Sequence, residues 1–84
     1  MSGADNPIKS ESLDDLTEVI YLQIPPEKVV IAQGLIESYE GLSVVRTSNP
    51  ELSIISLIFT KDMRQTVIEF LNGSKDLLNW QQTN

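Results

Sequence analysis

Leu52-Ser53-Ile54-Ile55-Ser56-Leu57-Ile58-Phe59 is an extended-chain stretch that is apolar on both of its sides. Side chains alternate along a strand, so Ile55, Leu57 and Phe59 take one side while Leu52, Ile54 and Ile58 take the other. A chain of 84 residues with two predicted helices covers one face of a small sheet and hardly both. The excess on the second face predicts contact with something outside the monomer.

Working outward, Asn49-Pro50-Glu51 reads as a hairpin turn that joins this strand to another at 42–48, Leu-Ser-Val-Val-Arg-Thr-Ser. Pro50 takes the turn position that suits its fixed φ. Residues 17–24, Thr-Glu-Val-Ile-Tyr-Leu-Gln-Ile, form a further strand, halted by Pro25-Pro26. Pro26 suits the first turn of a helix, with Glu27 near its positive end. That helix is expected over Pro26–Tyr39. Its apolar stripe is Ile31, Leu35 and Tyr39, widened by Ala32 and Ile36. Gly34 inside it costs about 1 kcal/mol relative to Ala, which close approach to the sheet would offset. Glu40-Gly41 supplies the stop.

After the central strand, Asp62 and Gln65 have the spacing of a capping box. A helix over 62–72 buries Met63, Val67, Phe70 and Leu71 and ends at Asn72-Gly73. Residues 74–84 fit either a short helix from Ser74 or a fourth strand around Leu77–Gln81. Residues 1–16 are rich in Ser, Asp, Gly and Pro and read as a flexible arm. The organisation is thus an arm (1–16), an α+β domain (17–73) and a tail (74–84).

Strand, helix, strand, strand, helix is the order of an α+β two-layer sandwich. It is ferredoxin-like or ACT-like, with its last strand absent or vestigial. Right-handed crossover leaves room for 52–59 between the other two strands, antiparallel to both. Ile20, Leu22, Ile24, Ile55, Leu57 and Phe59 then face the helices, with Leu42 and Val44. The opposite face shows Val19, Tyr21, Gln23, Ile54, Ser56, Ile58 and Val45, flanked by Ser43 and Thr47. Such a face is normally polar when uncovered. A missing fourth strand also leaves the outer edge of 18–24 open to strand addition. The competing arrangement folds Leu77, Leu78 and Trp80 back over that edge or face.

Six basic against twelve acidic residues give a net charge of −6, and the cations are scattered. Affinity for nucleic acid rests on clustered Lys and Arg, so nucleic acid is not the expected partner. No stretch approaches the roughly 20 apolar residues of a bilayer span, and no signal-peptide pattern opens the chain. The reading is a soluble, acidic, cytoplasmic protein without membrane insertion. With no His and no Cys, the commonest general bases and transition-metal ligands are missing. No calcium-loop or Gly-rich phosphate motif appears either. Neither catalysis nor a cofactor is expected.

Tyr21-Leu-Gln-Ile-Pro-Pro-Glu, then Glu37-Ser-Tyr-Glu-Gly-Leu-Ser-Val-Val-Arg-Thr and on to Ile58, resembles a family of very short, uncharacterised bacterial domains. The resemblance spans about residues 18–72 and implies a fold without implying an activity. More distantly, the layout is similar to ACT-type regulatory domains, which bind small effectors where sheets join. Pro25-Pro26-Glu27 stands where those domains typically carry a Gly.

The expected function is a non-catalytic protein–protein interaction module, as a homodimer or an accessory subunit of a larger assembly. Val19, Tyr21, Gln23, Val45, Ile54 and Ile58 carry the contact. Trp80 is either a partner anchor or part of the domain's own packing. The alternative is an ACT-like regulatory domain with an effector pocket at Pro25–Glu27, near Arg46.

Overall fold

Seven consecutive residue pairs, from Thr17 opposite Thr60 to Gln23 opposite Ile54, join strands β2 (Thr17–Gln23) and β4 (Ile54–Thr60) in an antiparallel ladder. The structure is a computed structural model, and it describes residues 8–39 and 44–83. The expected helix stop at Glu40-Gly41, the core position of Leu42 and the open-face position of Ser43 lie outside the described residues. Strand β3 (Val44–Asn49) pairs antiparallel with the other side of β4. The doubly apolar segment therefore occupies the interior of the sheet. It begins at Ile54, and Leu52 belongs to the preceding turn, where it is exposed.

Two short strands complete the sheet on the far side of β2. Strand β1 (Glu11–Ser12) pairs with Val19 and Glu18, and β5 (Gln81–Gln82) pairs with Gln23 and Leu22. The sheet order is β1-β2-β4-β3, with β5 also on β2. The three strands expected from the sequence keep 52–59 between the other two, and two short strands extend the sheet beyond the bare ferredoxin-like or ACT-like pattern. What stands is an α+β fold with an antiparallel sheet and its helices packed against one face.

Helix α1 (Pro26–Ser38) starts with Pro26 at its first turn and Glu27 beside it. Its buried residues are Ala32 and Ile36, one turn apart, with Val29 and Leu35 packed alongside. The expected stripe is thus rotated: Ile31 is 45% exposed and Tyr39 is half exposed. Gly34 lies on the exposed side, and a Cβ there meets nothing within 4 Å. Close approach to the sheet is not its reason.

A short 3-10 turn (Lys61–Met63) leads into α2 (Arg64–Gly73). Asp62 makes no capping bond, and Gln65 turns instead to Glu69, with Nε2 donating to Oε2 at 3.4 Å. Helix α2 buries Val67 and Leu71, and Phe70 meets the Tyr39 ring edge-on at 5.1 Å. A four-residue helix α3 (Lys75–Leu78) follows and ends at Asn79, which takes a left-handed conformation. The tail thus holds the short helix expected after Ser74, and its strand falls at Gln81–Gln82 instead of around Leu77–Gln81.

Trp80 holds this tail in place. It is 6% exposed, and its Nε1 donates to the carbonyl of Leu71 at 2.8 Å. The Lys75 ammonium lies 4.1 Å above its ring and also donates to the Trp80 carbonyl. One core unites Trp80, Leu78, Val67, Leu71, Ala32 and Ile36 with Ile20, Leu22, Ile24, Ile55, Leu57 and Phe59. Ile8, from the stretch assigned to the arm, is buried in it too. No helix among the described residues is long and apolar enough to cross a membrane.

Trp80→Ala removes both the indole and the bond to Leu71, so a loss of about 3–5 kcal/mol is expected. In a domain this small, that is much of the total stability. Urea denaturation followed by far-ultraviolet dichroism reads it directly. Gly34→Ala should do the opposite, raising stability by about 0.5–1 kcal/mol, because the helical backbone is kept and nothing is displaced. A shift of the thermal midpoint checks the sign.

Candidate interaction face

Residues directly opposite one another in a ladder share a face, so the pairings sort every strand residue. Val19, Ile58 and Val44 form one row across β2, β4 and β3. Tyr21, Ser56 and Arg46 form the next, and Gln23 with Ile54 the third. None of these belongs to the helix-side core. They make a sheet face that no helix among the described residues covers. Val19 and Ser56 on this face are buried; Tyr21, Ile54 and Ile58 are half-buried. Val44 is 53% exposed, and Arg46 is exposed beside it.

Val45 is not on this face. It lies opposite Leu57 and packs against the helix-side core, and Thr47 opposite Ile55 follows it. Val44 and Val45 exchange the sides expected of them. The cause lies in the hairpin. A register irregularity separates Thr47 from Asn49, and the turn extends through Ser53, whose φ is 57°. Moving the pairing by one residue turns every side chain of a strand over. Val44 is thus the exposed apolar residue the sequence reading missed, and only the hairpin register distinguishes it from Val45.

The outer edge of β2, expected to be open, is closed. Beyond the β1 and β5 pairings, the Thr83 N–H donates to the Tyr21 carbonyl at 3.1 Å. Lys9 N–H donates to Gln82 Oε1 at 2.9 Å, and Gln82 Nε2 returns a bond to the Lys9 carbonyl. Near β1, the Ser10 hydroxyl donates to Glu18 Oε1 at 2.6 Å, and Arg64 Nε lies 3.4 Å from the same oxygen. The sheet edge with no strand beside it among the described residues is β3. Trp80, as a core residue, is not on offer to a partner.

A hollow of about 350 Å3 lies at the end of β2, between Pro25-Pro26 and the Glu51–Ser53 turn, with Asn79 opposite. Ser53 and Asn79 are the two non-glycine residues with positive φ among those described. Glu51 brings the hollow its one charge. Arg46 does not line it, so the two parts of the expected effector site are separate. Among the described residues, no three Asp or Glu converge as metal ligands would.

The turn into β2 is organised by Asp14. Its Oδ1 accepts from the N–H groups of Leu16 at 2.8 Å and Thr17 at 2.9 Å. The Leu16 N–H bond first, then the contact with the Thr17 side chain, holds the carboxyl below its ordinary value of 3.8. A carboxyl lowered in the folded state adds stability above its ordinary value and loses it as the pH falls through the folded one. Asp14→Ala should therefore be less stable than the parent at neutral pH, and the gap should begin to narrow as the pH falls below about 4. Paired urea titrations at pH 7 and pH 3 measure this.

A family model described as a domain of unknown function (DUF4911) matches residues 22–77. No curated protein and no solved structure gives a significant match. The matched residues run from β2 through α3 and are most of the chain, so the chain belongs to this DUF4911 family.

Proposed function

We propose that this member of the DUF4911 family is a non-catalytic protein–protein interaction module, working in a homodimer or as a small accessory subunit. The reading is carried by the open sheet face, where Val44, Ile58, Val19, Tyr21 and Ile54 stand on three adjacent strands with no helix of the described residues over them. Antiparallel sheets that face water alternate to polar residues, and this one does not. The partner edge moves from β2, which is closed, to β3. Strand β5 beside β2 supplies a short strand where the ferredoxin-like pattern carries its fourth, which favours that lineage over an unrelated α+β design. Effector binding at Pro25–Glu27 is the weaker reading, because the hollow there carries an acid and lacks the Arg46 cation.

Val44→Asp puts a charge at the most exposed apolar position of the face without entering the core. Tagged parent and variant, recovered from the native host under identical conditions, should differ in one respect. The parent carries a stoichiometric associated chain, its own or another, and the variant loses it while keeping the parent's dichroism spectrum. Equal recovery of associated chains by both would place the contact elsewhere. Ile54→Asp and Ile58→Asp probe the same face at half-buried positions.

A further inference from the structure

The open face carries two charges among the described strand residues, and they lie on opposite borders. Arg46 is on β3, in the row of Ser56 and Tyr21. Glu11 is on β1, opposite Val19 and therefore on the same face. Between them stand Val19, Tyr21, Ile54, Ser56 and Ile58, all uncharged. Neither Arg46 nor Glu11 has an ion pair among the described residues.

We infer that this face packs on the same face of a second copy, about a two-fold axis running along the strands between β2 and β4, with Arg46 of each copy meeting Glu11 of the other. The inference rests on the interaction reading above and selects its partner. A two-fold along the strands keeps the position along the strand and exchanges left for right. It lays β3 of one copy over β1 of the other. The Arg46 and Glu11 rows are two residues apart, about 7 Å along the strand, and packed sheets stand about 10 Å apart. An arginine and a glutamate reaching toward each other close that distance. The other two-fold in the interface plane runs across the strands and stacks β3 on β3. It sets Arg46 near its own copy, which is repulsive. The charge pattern therefore favours one of the two symmetric arrangements, as a self-complementary patch requires.

The size of the face fixes the strength. Three strands of six or seven residues and the two-residue β1, about 4.8 Å apart, give a face of roughly 350 Å2 per copy. That is below the roughly 800 Å2 per partner of a standard stable interface. The dimer is accordingly weak and reversible, with dissociation in roughly the micromolar range or above.

Sedimentation velocity of the purified full chain over a wide concentration series tests this. The parent should shift from one-chain to two-chain mass as concentration rises. Arg46→Glu and Glu11→Arg, each placing like charges at two symmetry-related contacts, should each weaken the dimer about tenfold or more. The double variant should recover to within about threefold of the parent. Because the chain has no cysteine, Glu11→Cys and Arg46→Cys allow a second reading. A short bis-maleimide should join the mixed pair and leave Arg46→Cys alone largely uncoupled. Failure of the double variant to recover, or efficient coupling of Arg46→Cys to itself, overturns the arrangement. A chain that stays monomeric at every concentration overturns the second copy. If its tagged form nevertheless retains a Val44-dependent chain of another kind, the interaction reading stands. If it retains none, both fall.

Discussion

The β2–β4 ladder is the constraint on which the rest of the molecule depends. Seven pairs run without interruption, and they place Ile20, Leu22, Ile55, Leu57 and Phe59 on one side together. That apolar platform is what α1 and α2 bury their stripes against. A slip of one residue in this register would send the whole platform to the other face. Ile24, immediately after β2, extends the lock: its N–H donates to the Ser53 carbonyl at 3.0 Å and fixes the end of the ladder to the turn before β4.

The same ladder explains why the open face exists. Both strands are apolar on alternating sides, so the chain has two sheet surfaces to cover and helices for one. Along β2 the second surface reads Val19, Tyr21, Gln23; along β4 it reads Ile54, Ser56, Ile58. Val19 and Ser56 are buried, and the most exposed apolar residue of the face is Val44 on β3. Among the described residues β3 has a strand beside it on one side only.

Much of this was legible in the chain. Pro25-Pro26 fixes the end of β2 and the start of α1, since proline cannot donate to a ladder and fits a helix's first turn. The doubly apolar run at 52–59 announces an interior strand, because an edge position would leave it unsupported. What was not legible follows from small energy differences. Val44 and Val45 are chemically identical, and only the register irregularity after Thr47 decides which is inside. Helix α1 carries apolar residues nearly all round, so no pattern singles out its inner side, and Ala32 is buried while Ile31 is half exposed. Residues 8–12 and 80–83 are polar or sparse in hydrophobes. Their placement depends on a partner strand that no local pattern encodes, although Ile8 and Trp80 are the signals that would have located them.

Closure of the outer edge of β2 also has a temporal meaning. Its two covers come from segments far apart in the chain, and the Lys9–Gln82 contact spans 73 positions. On a ribosome, residues 17–23 are made long before 81–83. Until residues 81–83 are made, the outer edge of β2 at Tyr21–Gln23 therefore carries bare amide and carbonyl groups beside an apolar surface, the condition under which strands from different chains join. Strand β1 precedes β2 and is available early, but it reaches only Glu18 and Val19. The vulnerable interval ends when Trp80 docks under α2 and brings Gln81 and Gln82 alongside. Completion of the sheet thus waits on residues 81–83, which are not part of the helix-side core and yet close its edge.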